Sequence, residues 1–218
     1  MGGSRFWDGV PGRARRALTE AGTGVLIKPS AFLVRQHTRS PQVFVIHEGA
    51  AKVWADGDGE IAILDVLGPG DIVGELEAAD GGPRQAYVQA MTPVRALVLP
   101  APLFRSVLEE HPAAVWAVAA VLAERLRDAD ELRVAHFPDV PERRLAGRLL
   151  RLAERFGAPD GDGGIRVDVP VSQQDLARWA GMGRRKVAQI LAGLDEVTLT
   201  RKGMTLRSVE ALEALARG

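Results

Sequence analysis

Three consecutive cations, Arg184, Arg185 and Lys186, are followed one helical turn later by Gln189. Arginine pairs bidentately with guanine and glutamine with adenine, so these residue types at this spacing could read base edges in a DNA major groove. Val187, Ile190, Leu191 and Leu194 recur at the offsets of one helical face, which places the cations in the first turn of that helix. A helix N-terminus carries positive partial charge and is the wrong end for cations, so the cluster points to an external phosphate or base. Upstream, Ser172-Gln173-Gln174-Asp175 has the form of a capping box, in which the serine oxygen and the carboxylate satisfy early backbone N–H groups. It opens another helix with Leu176, Trp179 and Ala180 on its inner face, and Gly181-Met182-Gly183 joins the two. Gly181 can take the positive φ of a tight turn, and Ala177 offers a small surface where the helices cross. The pair is predicted to be a helix-turn-helix. Leu199 to Leu206, with Arg201-Lys202-Gly203 at its tip, reads as a hairpin wing. The expected DNA contacts are Ser172, Gln173, Arg184, Arg185, Lys186, Gln189, Arg201 and Lys202, with Arg184 and Arg185 for specificity and Arg201 and Lys202 for phosphates.

The rest of the chain must carry this motif. From Val25 to Leu99 short apolar runs, at 32–34, 43–46, 51–54, 61–66, 86–90 and 96–99, alternate with turns marked by Glu48-Gly49, Asp56-Gly57-Asp58-Gly59, Gly68-Pro69-Gly70-Asp71 and Gly81-Gly82-Pro83. A jelly roll is the expected arrangement, with Arg13 to Ala21 as a short helix at one end. From Pro112 the pattern becomes helical, with Val115, Val118, Leu122, Leu126, Ala129 and Leu132 at three- and four-residue steps. The stripe is narrow and its second half is crowded with charge, which suits a two-stranded seam between chains; the alternative is packing on its own barrel. Phe137-Pro138-Asp139-Val140-Pro141 interrupts it as a hinge. A helix to about Phe156 follows, burying Leu145, Leu149, Leu150 and Leu152, and Gly157 to Gly164 reads as a loop.

Composition bounds what such a chain can do. Its 218 residues are 46% hydrophobic and 26% charged, and none is cysteine, which removes disulfides, thiolate metal sites and cysteine-ligated iron–sulfur clusters. The four histidines, at 37, 47, 111 and 136, have no metal-ligand spacing, and no carboxylate pair accompanies a nucleophile motif, so no enzymatic activity is expected. No apolar run reaches the ~20 residues of a membrane span and no secretory signal opens the chain, so a cytoplasmic protein is expected. The zero net charge divides into −4 for residues 1–140 and +4 for residues 141–218, a basic C-terminal part consistent with a nucleic-acid partner.

From about Val25 to Leu206 the chain resembles the CRP/FNR regulators. The resemblance rests on Gly70-Asp71-Ile72-Val73-Gly74-Glu75-Leu76 with Gly82-Pro83-Arg84, on Glu124-Arg125-Leu126, and on Val171 to Leu194. It implies an α+β protein with an N-terminal cyclic-nucleotide-binding-like jelly-roll barrel (residues 1–111), a long dimerisation helix (112–137) and a C-terminal winged helix-turn-helix domain (138–218). In the family the Gly-Glu-Leu segment and the later arginine bind a cyclic phosphate, glutamate on the ribose and arginine on the phosphate, here Glu75 and Arg84. Gly74 would let backbone N–H groups approach an anion, and a guanidinium matches phosphate geometry. Alternatively Glu75 and Arg84 pair with each other.

The effector set carried over is Gly74, Glu75, Leu76, Arg84, Gln85, Ala129 and Asp130. The serine or threonine that in the family usually follows the phosphate arginine is Gln85 here, and the hydroxyl pair through which the family reads adenine falls on Ala129 and Asp130. Cyclic AMP is therefore disfavoured. An ionised Asp130 is acceptor-only and suits guanine N1–H and N2–H₂, so a bound nucleotide would be a guanine nucleotide; the alternative is that Asp130, set among Arg127, Glu131 and Arg133, forms only surface or inter-subunit ion pairs. The expectation is a homodimeric regulator of double-stranded DNA, contacting RNA polymerase if it activates, with a nucleotide or other small anionic effector in the barrel. Its rivals are an effector-independent regulator with an empty barrel, and a nucleotide-binding module acting through protein contacts.

Overall fold

The computed structural model describes residues 5–57, 59–134, 140–161 and 163–217, and of residues 130–134 the backbone only. The chain divides into two compact units, residues 1–55 with 66–134, and residues 56–65 with 135–218. Among the described residues no single helix is long and apolar enough to cross a membrane.

Along residues 5–134 the order is α1 (Phe6–Gly9), α2 (Gly12–Ala21), β1 (Thr23–Ile27), β2 (Phe32–Val34), β3 (Gln42–Glu48), β4 (Ala51–Gly57), β5 (Glu60–Leu67), β6 (Ile72–Val73), α3 (Glu75–Asp80), β7 (Tyr87–Ala90), β8 (Val94–Pro100), α4 (Ala101–Glu110) and α5 (Ala113–Val134). Two four-stranded sheets form, β1-β8-β3-β6 and β2-β7-β4-β5, the layered pattern of the expected jelly roll. The Val43-Phe44-Val45-Ile46 run shows why β3 lacks polar alternation. Phe44 and Ile46 join Val34, Ala51, Val73, Val88 and Ala96 in one core, while Val43 and Val45 join Ile72, Leu97 and Leu99 in a second. That second core is completed by helical residues: Phe6 of α1, Leu18 of α2, Phe104 of α4, and Ala114, Ala117 and Val121 of α5. A strand buried on both faces reads as continuous apolar sequence.

The helix from residue 113 is apolar on more than one side. Ala114, Ala117 and Val121 are buried in the second core with Val118 packed beside them, whereas Val115, Trp116 and Leu126 are 46%, 78% and 60% exposed. The single seam expected from sequence is thus divided. One face belongs to the chain's own barrel, and the opposite one, running through Val115, Trp116, Ala119, Ala123 and Leu126, faces outward.

The C-terminal part contains α6 (Pro141–Phe156), β9 (Gly157–Pro159), β10 (Ile165–Val167), α7 (Gln173–Ala180), α8 (Arg184–Ala192), β11 (Val197–Leu199), β12 (Met204–Leu206) and α9 (Val209–Arg217). Leu145, Leu149 and Leu152 of α6 are fully buried, and Leu150 is only half-buried. The segment 157–164, read as a loop, is a hairpin: Gly157–Pro159 pairs with Ile165–Val167, and Asp160 closes the turn by accepting the Gly164 N–H at 2.8 Å. Strands β11-β12-β10-β9 make one sheet. Its wing turn is closed by the Thr200 N–H donating to the Gly203 carbonyl at 2.8 Å. Gly203 packs so closely on the Val167 carbonyl that no side chain fits between them. Of the hinge expected at 137–141, residues 137–139 lie outside the described residues.

Candidate functional site

Helix α7 begins where the sequence placed it. Ser172 Oγ accepts the Asp175 N–H at 3.0 Å, and the Asp175 carboxylate accepts the Ser172 N–H at 3.1 Å, the two halves of a capping box. Each half satisfies a donor that helix geometry leaves open, and such caps stabilise by about 1 kcal/mol. The helix stops at Gly181, whose φ of 62° is left-handed, and the Met182 N–H donates back to the Ala177 carbonyl at 3.0 Å. Leu176, Ala177, Trp179 and Ala180 are buried on α7, and Val187 and Ile190 on α8, which fixes the pair against each other. Arg148 of α6 lies over the Trp179 ring at 5.4 Å. Leu191 and Leu194 are half-buried.

This frame leaves the first turn of α8 facing outward. Arg184, Arg185 and Gln189 are exposed, and neither arginine has a side-chain partner among the described residues. Lys186 is different. Its ammonium donates to Glu142 Oε1 of α6 at 2.8 Å, so it ties α8 to α6. Glu142 responds in kind: the Lys186 hydrogen bond, aided by its own backbone N–H and by the ammonium's charge, holds its carboxyl below the usual value. Arg201 and Lys202 are exposed at the wing tip, Ser172 is exposed with its hydroxyl engaged in the cap, and Gln173 is half-buried.

In the barrel, the chain leaves β6, turns through Gly74 at φ 90° into α3, and leaves α3 through Gly81 at φ 71°. These turns bring Gly74, Glu75 and Arg84 together and add residues the sequence reading had not placed there. Arg84 does not pair with Glu75. Its Nε ion-pairs with Glu77, and its Nη2 donates to the Ser40 and Gln42 carbonyls at 2.6 and 2.5 Å. Glu75 pairs instead with Arg125 of α5, which also donates to the Ile72 carbonyl at 2.7 Å. Burial pushes the Arg84 guanidinium below its ordinary pKa, and the charges of Glu77 and then Glu75 oppose that shift. Gly74 makes room for the arginine itself, since a methyl group there would be driven into Nη1.

The other effector candidates are more dispersed. Leu76 is 41% exposed and Gln85 is exposed, while Ala129 is half-buried on α5. The Asp130 side chain lies outside the described residues. Glu77 and Arg125 are absent from the expected effector set, although Arg125 stands in the Glu124-Arg125-Leu126 motif. Glu77 carried a signal, a further acid two positions after Glu75 in a segment expected to meet an anion.

A family model described as a cyclic nucleotide-binding domain matches residues 25–111, and one described as a Crp-like helix-turn-helix domain matches residues 143–215. The chain is similar to a CRP-like cAMP-activated global transcriptional regulator of Mycobacterium tuberculosis, 31% identical over 217 residues, covering 97% of this chain and 96% of the relative. It is also 30% identical over 164 residues to a cyclic AMP receptor protein of Thermus thermophilus, covering 73% and 72% of the two chains. Among solved structures, the c-di-GMP responsive global regulator CLP of Xanthomonas campestris matches with a TM-score of 0.75 at 18% identity, over 91% of this chain and all (100%) of that one. FixK2 of Bradyrhizobium japonicum matches with a TM-score of 0.74 at 18% identity, over 89% and 96%.

Proposed function

The chain belongs to the CRP/FNR family of transcription regulators, and we propose that it acts as a homodimer binding double-stranded DNA sequence-specifically through α8 and the β11–β12 wing. It is a regulator rather than an enzyme, like the M. tuberculosis relative that matches it over nearly its whole length. The observation that carries the proposal is the exposed pair Arg184 and Arg185 at the start of α8, without side-chain partners among the described residues, on a helix pair fixed by a capping box and a left-handed glycine turn. Unpaired guanidinium groups at the positive end of a helix are stabilised when a phosphate or guanine edge meets them.

We read residues 1–111 as the sensor barrel, 112–137 as the dimerising helix and 138–218 as the DNA-binding domain. The outward apolar face of α5, with Trp116 78% exposed, is the surface a second copy would cover. RNA polymerase is the further partner of an activator, and the cytoplasm is where such a protein meets its DNA. For control there are two readings, a nucleotide or other small anionic effector in the barrel, and effector-independent binding. The Arg84–Glu77 ion pair favours the second.

The test is duplex binding across a salt series. Arg184→Ala should relax base preference at one position and cost about 1–3 kcal/mol there, whereas Lys202→Ala should weaken all sequences alike and flatten the salt slope. Equal, sequence-independent losses in both variants would refute the assignment.

A further inference from the structure

We propose that Glu77 is a built-in anion that fills the phosphate position of the barrel, so that the barrel excludes ligands carrying a phosphodiester. The proposal rests on reading the barrel as a cyclic-nucleotide-type domain, and it adds that the residues present do not fit a cyclic nucleotide.

A guanidinium has five N–H donors. In Arg84 the Nε side is taken by the Glu77 carboxylate and both Nη2 donors by the Ser40 and Gln42 carbonyls. The remaining nitrogen, Nη1, lies beside Gly74 and has no acceptor among the described residues. Glu77 is held in its turn, because its Oε1 also accepts the Ser40 N–H at 3.2 Å. The two side chains are 4% and 9% exposed, so the pair is a buried contact rather than a surface bridge. A phosphate arriving at this arginine would meet, on its Nε side, a carboxylate of its own charge type that is covalently part of the site.

The charge of the cluster leads to the same conclusion. Arg84 and Arg125 carry two positive charges, Glu75 and Glu77 two negative ones, and the partners are paired off as Arg84–Glu77 and Arg125–Glu75. The set closes at zero. Adding a phosphodiester would leave one buried negative charge without a partner, which low-dielectric surroundings penalise. Without the Glu77 carboxylate the same set would carry one positive charge beside the cleft left by the missing side chain, and an anion would complete it. Glu77 is therefore the residue that decides whether this barrel takes a phosphate.

The experiment uses the full-length protein, wild type and Glu77→Ala, titrated by calorimetry with cyclic AMP, cyclic GMP and inorganic phosphate, with thermal melts of each mixture. Wild type should give no heat of binding and no shift in melting. Glu77→Ala should melt lower than wild type, recover on adding each anion, and bind the cyclic nucleotides at least about tenfold more tightly, as expected when one like-charge contact is removed. Glu77→Gln keeps the side-chain volume and should show a smaller gain, which guards against a folding defect in the alanine variant. Micromolar binding of either cyclic nucleotide by wild type would overturn the proposal, and so would variants as silent as wild type. Duplex binding is measured in parallel. Wild type should bind DNA equally with and without cyclic nucleotide, and failure to bind any duplex would count against the regulator reading instead.

Discussion

Gly74 and Gly81 bracket α3 in the same left-handed conformation but in different surroundings, and replacing each by alanine separates two costs. At Gly81 an added Cβ meets nothing within 4 Å, so Gly81→Ala should cost only the backbone strain of a side chain at positive φ, about 1–2 kcal/mol. At Gly74 the same strain applies, but the new methyl group also lies 2.5 Å from the Gln42 carbonyl and closer still to Arg84 Nη1. The carbonyl cannot move without disturbing its bond to Arg84. Overpacking of this kind adds about 1–3 kcal/mol, for a total of roughly 2–5 kcal/mol. At roughly 2–4 °C per kcal/mol for a chain of this size, a central loss of about 3 kcal/mol lowers the melting point of the barrel by about 6–12 °C. Scanning calorimetry of both variants beside wild type reads the difference directly. If Gly74→Ala costs no more than Gly81→Ala, to within about 0.5 kcal/mol, the close packing of Arg84 under Gly74 is wrong, and with it the account of how the arginine is held.

Leu126→Asp places a charge on the outward face of α5 and should convert dimers to monomers in sedimentation at micromolar concentration; a monomeric wild type would contradict the proposed seam. Gly147, in the interior of α6, has open space where a Cβ would go, so Gly147→Ala should stabilise the C-terminal domain by about 0.5–1 kcal/mol in urea unfolding. The carboxyl of Glu142 is held below its ordinary value of 4.5 by Lys186, so the pair stabilises the fold above that pH and the contribution is lost as pH falls through the folded value. Wild type should therefore lose more stability than Glu142→Gln between about pH 6 and pH 3, and identical losses would show that the contact is not populated.

The features that could be read from sequence were those determined locally. The Ser172–Asp175 box spans four residues and needs no tertiary partner, and Gly181 marks its own turn by needing positive φ. The doubly buried β3 declared itself as an unbroken apolar run. Helix α9 carried a readable signal that was passed over, since Ser208 Oγ accepts the Ala211 N–H at 3.2 Å as a cap. The two faces of α5 were harder to foresee. Periodicity identifies which residues share a face but not which surface that face meets, so Val115, Val118 and Leu122 looked equivalent until the barrel claimed Ala114, Ala117 and Val121. The partner of Arg84 depended on two glycine turns and on backbone carbonyls at residues 40 and 42, and carbonyls leave no mark in a sequence.

The wing has a consequence for the thermodynamics of association. Segments that become ordered on a partner lose conformational entropy, about 0.5–1.5 kcal/mol for each rotamer-rich side chain immobilised and more where a loop's backbone must also settle. Here the backbone is settled beforehand. The Thr200–Gly203 bond closes the turn, the register Thr198↔Thr205 and Leu199↔Met204 holds its arms, and Gly203 is pressed against Val167 at its base. Only the side chains of Arg201 and Lys202 remain to be ordered. The wing should thus grip a phosphate backbone with a small entropic penalty, and its contribution should depend weakly on temperature and strongly on ionic strength.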